Sequence, residues 1–172
     1  MDLNGYIACI CEGAAEQAII ELLLDSNKLI FSREQLLEEE VIRIRSAKNF
    51  EEKYLRKSFN EKITVIRILD SRKENFNLSK VYQNKITVIN IITAPEIEML
   101  IIFNEEKYKD YKKLKIKPSE FCKTKLKFSS VKSYGFIKEY FSNIDELLKS
   151  ISEYRRISNI KSGEYSLSDL LK

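Results

Sequence analysis

Apolar positions along the chain fall into two rhythms. Tyr6–Cys11 (YIACIC), Lys62–Leu69 (KITVIRIL) and Lys85–Ile92 (KITVINII) are short runs rich in β-branched residues, with the length and composition of buried strands. Val41–Arg45 (VIRIR) alternates apolar and basic residues, which predicts an edge or half-exposed strand. Ala14–Asp25 (AAEQAIIELLLD) repeats apolar residues at helical spacing. Ser26-Asn-Lys closes that helix, and Lys28–Phe31 reads as a short extended piece. Ser32-x-x-Gln35 has the form of a capping box ahead of a short helix. Asn49–Phe59 has an Asn cap, acids in its first turn and bases in its last, as a helix dipole prefers. Pro95 fits the first turn of a helix over Glu96–Phe103. Beyond Asn104 the pattern is helical with interruptions: around residues 105–113, from Ser119 to about 126, then Val131–Phe141 and Ile144–Ile157. A short capped helix, Ser166–Leu171, follows.

Strands near residues 6, 41, 63 and 86, with helices between the first three, give a βαβαβ order. That order predicts an α/β fold: a parallel four-stranded sheet, right-handed crossovers and helices on both faces. Residues 1–104 form the α/β domain, and residues 105–172 a basic helical C-terminal region packed on it. In such sheets functional groups collect beyond the carboxyl ends of the strands, and Glu12 and Asp70 stand there.

Composition narrows the chemistry. Of 172 residues, 44% are apolar and 33% charged, with 4 Gly and 2 Pro, which excludes collagen-like, low-complexity and broadly disordered classes. Met-Asp-Leu-Asn-Gly opens without a basic n-region, so no signal peptide is expected, and no apolar run is long enough to span a bilayer. The expected location is the cytoplasm, with no membrane partner. Cys9 and Cys11, two apart in a strand, point to one face and read, like Cys122, as reduced core residues. The chain has no His, which removes Ser-His-Asp and Cys-His nucleophiles and His-ligated zinc. Neither GxxxxGK[ST] nor GxGxxG is present, nor the Pro-Pro pair an adenine methyltransferase motif needs. An enzyme built from this chain must use carboxylates, Lys or Arg, Tyr or Ser, with a hard divalent ion.

Charge is uneven. Residues 1–106 carry 14 Lys/Arg against 18 Asp/Glu, residues 107–132 carry 10 against 2, and residues 133–172 carry 6 against 6. The basic segment suits a phosphate-backbone partner. Lys112, Lys113, Lys115, Lys117, Lys123 and Lys125 are its candidate nucleic-acid contacts. Tyr108, Tyr111, Phe121 and Phe128, interleaved with these lysines, either stack on bases or anchor helices to the core.

Glu12-Gly13 leaves the first strand and opens a helix, and Asp70 leaves the strongest strand. On neighbouring strands the two carboxylates could share Mg²⁺ or Mn²⁺, while Gly13 allows a tight turn and the helix N-terminus favours a phosphate. Ile10-Cys-Glu12-Gly13-x-x-Glu16 and Ile66-Arg-Ile-Leu-Asp70-Ser-Arg72 resemble the strand-Glu-Gly and strand-Asp motifs of the Toprim fold, shared by type II topoisomerases, bacterial primases and the OLD and RloB-like families. Pro95-Glu-Ile-Glu98 is similar to a Pro-x-x-Glu helix in RloB-like proteins, and the whole chain looks like a group of small bacterial proteins, some with methylase-type names. The resemblance covers about residues 4–104.

It implies that Glu12 acts as general acid/base at a scissile phosphate and that the Asp motif binds Mg²⁺. Toprim proteins usually carry Asp-x-Asp where this chain has Asp70-Ser71-Arg72. Glu16, Glu96 or Glu98 then completes the metal site, with Glu98 favoured because the Pro95 helix begins at the same sheet edge; otherwise Arg72 neutralises phosphate, or the site is silent. The expected function is a Mg²⁺-dependent nuclease on DNA or RNA, which the resemblance associates with phage defence, using Glu12, Asp70 and Arg72 for chemistry and Glu12, Asp70 and Glu98 for metal. The alternatives are a catalytically silent module that binds nucleic acid or a partner subunit, and a nucleotide-binding regulator on the same sheet edge.

Overall fold

The three β-branched runs form a parallel sheet in the computed structural model, which describes residues 3, 5–56 and 62–172. Strands β1 (Tyr6–Cys11), β2 (Ile63–Leu69) and β3 (Ile86–Ile92) lie in the order β1-β2-β3. The register runs without a slip from Tyr6 opposite Ile63 and Ile86 to Cys11 opposite Ile68, with Leu69 opposite Ile92. The carboxyl ends of all three strands therefore define one level edge.

Among the described residues the sheet has three strands, not four. Val41–Arg45 touches it at one bridge: Ile42 N–H donates to the Cys9 carbonyl at 2.8 Å and Cys11 N–H to the Ile42 carbonyl at 2.9 Å. The chain peels away because Arg43 and Arg45 are solvated and the next residue, Ser46, caps a helix by accepting from Asn49 N–H at 3.0 Å.

Helix α1 (Ala14–Asp25) has the expected bounds. The Ser32/Gln35 capping box is present, but it opens a short 3-10 turn over Arg33–Gln35, followed by another over Leu37–Glu39. Helix α2 (Ala47–Phe50) begins at Ser46 rather than Asn49 and widens into a π turn over Glu51–Leu55. The remainder of that expected helix, residues 57–59, lies outside the described residues. Helix α3 (Lys80–Gln83), without a clear sequence signal, joins β2 to β3. The Pro95 helix starts late, at α4 (Met99–Asn104). A turn over residues 95–98, with a cis Ala94–Pro95 bond, precedes it, and Glu96 is drawn to Ser119 N–H at 2.8 Å instead of lying in the first helical turn. Helices α5 (Tyr108–Lys112), α6 (Pro118–Thr124), α7 (Tyr134–Tyr140) and α8 (Ile144–Ile157) follow, then a 3-10 turn over Leu167–Leu170.

Strand alternation divides the core. Ile7, Cys9 and Cys11 of β1 and Ile66 and Ile68 of β2 face α1 and the C-terminal helices, joining Ile19, Leu23, Ile101, Phe141 and Leu147. Ala8, Ile10, Ile63 and Val65 face the other way, against Phe50, Tyr54 and Leu55. All three cysteines are buried and free, in agreement with their expected core role. The chain's end returns to the domain: Ile92 N–H donates to the Tyr165 carbonyl, and Ile30 N–H to the Leu170 carbonyl, both at 2.8 Å. No helix among the described residues is long and apolar enough to cross a membrane.

Gly5 sets the entry to β1. Its φ is +82°, and a Cβ there would lie 2.1 Å from the Lys62 carbonyl oxygen. Gly5→Ala is expected to cost about 2 kcal/mol, read as a lower urea midpoint at unchanged slope.

Candidate functional site at the carboxyl edge of the sheet

Glu12 is one residue past Cys11 and Asp70 one past Leu69, so the strand register brings both acids to the same edge. Alternation sends them to opposite faces. Glu12 continues the series Ala8, Ile10 toward the α2 side, whereas Asp70 continues Ile66, Ile68 toward α1.

On the α2 side, Glu12 lies 3.5 Å from Nη2 of Arg67, which also reaches Glu74 at 3.3 Å. Arg67 projects from the middle of β2, is 1% exposed and lies over the Phe76 ring, 4.8 Å from its centroid. Its Nε and Nη1 have no hydrogen-bond partner among the described residues. Burial works against the guanidinium's charge, and the two carboxyls partly offset it. Burial, then the hydrogen bond and charge shared with Glu74, push the Glu12 carboxyl up to about 7 against the pull of Arg67 and Arg45.

On the α1 side, Glu16 from the first turn of α1 and Glu96 and Glu98 ahead of α4 surround the ammonium of Lys132, and Asp70 is near enough for its charge to act on Glu16. Lys132 Nζ is 3.1 Å from Glu96 and 4.0 Å from Glu98. Glu96 is buried, but Ser119 and Lys132 outweigh that burial and hold its carboxyl below the usual range. Glu98 is 2% exposed and is pushed up to about 7, chiefly by burial, with the charges of Glu96 and Glu16 adding and Lys132 opposing. Burial also raises Glu16, and the charge of Asp70 adds to it. The acids from α1 and the α4 approach thus share one lysine, and Asp70 at the end of β2 acts on Glu16. Among the described residues no three Asp, Glu or Cys side chains stand close enough together to form a ready cation site.

Arg72 is not part of either group. Its Nε donates to Glu164 at 2.8 Å and its Nη2 to the Asn159 carbonyl at 3.0 Å, which turns it toward the C-terminal segment. It lines a cavity of about 620 Å³ along the free edge of β3, with Lys85, Thr87, Asn90 and Tyr165.

The basic segment reaches the edge. Lys115 and Lys117 line a cavity of about 370 Å³ together with Asp70, Glu96 and Tyr111. Lys113 and Lys125 border a second, of about 310 Å³, and Lys113 also pairs with Asp110 at 3.0 Å. Lys112 and Lys123 are exposed on the same segment. The interleaved aromatics anchor helices: Tyr108 stacks on Phe103 at 5.0 Å, Tyr111 meets Phe121 edge-on at 5.5 Å, and Phe128 packs on Phe136 and Tyr140 at 5.6 Å.

Arg67, Glu74 and Lys132 have site contacts that the sequence reading did not assign. Arg67 had a signal: a charge in the middle of KITVIRIL, at a position a central strand buries on both faces. Lys132 and Glu74 had none, because chain folding alone brings them in.

The chain is thus an α/β protein with a parallel sheet whose carboxyl edge carries an acid–base pair on one face and an acidic group balanced by lysine on the other. Comparison with models of known protein families, with curated proteins and with solved structures returns no match.

Proposed function

We propose that this is a cytoplasmic, Toprim-like protein that processes phosphodiesters at the carboxyl edge of its sheet with the help of Mg²⁺ or Mn²⁺. The observation that supports this most is that Asp70 lines a cavity with Glu96, Lys115 and Lys117, while its charge also reaches Glu16, whose charge reaches Glu98. Oxygen-only donors of this kind suit a hard divalent cation. The donor types are those of such a site, but in the described arrangement the acids stand too far apart to form one and Lys132 holds Glu96 and Glu98. Asp70, Glu16 and Glu98 would hold an ion only after closing on one another with Lys132 displaced, and a bound ion would then polarise phosphoryl oxygens.

The chain's own groups do the rest. Glu12, pushed up to about 7, is suited to give or take a proton at the same edge, from the α2 face opposite Asp70. Lys115 and Lys117 place phosphate beside Asp70, and the remaining lysines hold the flanking strand electrostatically. With Glu16 and Glu98 present, the Arg at position 72 does not by itself remove the donor set, and Arg72's contacts with Glu164 and Asn159 leave it no role in the chemistry.

The test is cleavage of single- and double-stranded DNA and of RNA with and without Mn²⁺ or Mg²⁺, in the wild type and in Asp70→Asn and Glu12→Gln. Metal-dependent cleavage lost in Asp70→Asn supports the reading, and equal activity in all three proteins sinks it. A silent nucleic-acid-binding module is the second reading, favoured by the lysine seated among the acids. Metal-independent oligonucleotide binding without cleavage would select it.

Lys132 separates the two readings further. Lys132→Met removes the competing ammonium, so Mn²⁺ binding by calorimetry is expected to tighten up to roughly tenfold. Unchanged or weaker binding would show that the ammonium does not compete with the ion.

A further inference from the structure

We infer that Arg67 is the seat of a phosphate oxyanion, and that Glu74 holds the place such an anion takes. A guanidinium presents a planar fork of N–H donors matched to carboxylate or phosphate oxygens. Among the described residues only Nη2 has hydrogen-bond partners, at 3.5 and 3.3 Å, longer than charge-assisted bonds normally run. The Nε–H and the Nη1 amino group are buried and have no hydrogen-bond partner among the described residues. Buried donors of a charged group are seldom left this way, and in a native fold they call for a ligand.

The surroundings supply the rest of the seat. Arg67 reaches toward Glu12, which stands directly before Gly13, the residue that opens α1. Asn90 lies opposite Arg67 in the β2–β3 register and places an exposed amide beside it. Glu74 stands on the irregular stretch between β2 and α3, its side chain 37% exposed, so it can withdraw without disturbing the sheet. Phosphate suits this seat better than another carboxylate, because its additional oxygens can meet the Nε, Nη1 and Nη2 donors together.

This inference stands apart from the metal chemistry, and its test is run in EDTA. Inorganic phosphate is titrated against chloride at matched ionic strength, with thermal unfolding as the readout. Short single-stranded oligonucleotides bearing a 5′-phosphate or a 5′-hydroxyl are titrated by fluorescence anisotropy. Phosphate is expected to stabilise the wild type beyond chloride. Arg67→Lys, which keeps the charge but loses the fork, is expected to weaken binding roughly tenfold to a hundredfold, and Glu74→Gln to strengthen it. Preference for the 5′-phosphate would identify a strand end as the natural ligand. Arg67-dependent binding of both oligonucleotides would identify an internal phosphodiester, and response to inorganic phosphate alone a free phosphate. Binding that is the same in wild type, Arg67→Lys and Glu74→Gln, or absent for every probe, overturns the inference. Arg67→Met adds a neutral variant, and if it does not fold the other two decide.

Discussion

Glu98→Gln is expected to lower metal-dependent cleavage by at least roughly a hundredfold while making the protein more stable at pH 8. Under the proposed function the carboxyl is a cation ligand, and the neutral amide is a poor substitute for it. The same carboxyl is a burden to the fold. It is 2% exposed, and burial pushes it up to about 7, so above that pH the folded protein must hold a charge it disfavours. The amide is spared that, for a gain on the order of 2–3 kcal/mol. A stabilising substitution that destroys activity marks a functional acid rather than a structural one. Urea midpoints at pH 8 and Mn²⁺-dependent nicking check the two halves separately. Loss of stability in Glu98→Gln would show that the salt link to Lys132, at 4.0 Å, outweighs desolvation.

The wild type is expected to lose roughly 3–5 kcal/mol of folding stability between pH 5 and pH 8, most of it from Glu98 because solvent screens part of the Glu12 shift. Glu12 and Glu98 are each pushed up to about 7, against about 4.3 in an unfolded chain. With the folded value raised, the folded state binds more protons than the unfolded state between those two values. The stabilisation is complete below pH 4 and is lost as pH rises through 7. Glu16 is shifted in the same direction and adds to the slope. Asp25, Glu96 and Asp169 are shifted downward, so their contribution is already complete by pH 5 and adds no slope in this window. Such a loss is comparable to the whole stability of an ordinary domain. Denaturant titrations at unit pH intervals measure it; Glu12→Gln and Glu98→Gln should each flatten part of the curve. A profile flat from pH 5 to 8 in the wild type would remove the basis for treating these two acids as poised near neutrality. Divalent cation, if Glu98 binds it, should restore part of the lost stability at pH 8.

Local pattern alone determined the three central strands, α1 to the residue, the core role of the cysteines, and the placing of Glu12 and Asp70 at one edge. Each of these follows from backbone periodicity and parallel register, which neighbouring residues encode. Tertiary structure decided the rest. VIRIR carries a strand's alternation, yet Ser46 starts a helix immediately after it and the chain makes one bridge instead of a ladder. Glu12 and Asp70 reach the same edge on opposite faces, because strand alternation carries one toward α2 and the other toward α1. Lys132 enters the acidic group, and Glu74 meets Arg67, through contacts between separate elements. Arg72 turns away because Glu164, ninety-two residues later in the chain, lies within 2.8 Å. Charges pair with whichever partners the folded chain brings close, and at those separations along the chain no local pattern carries that information.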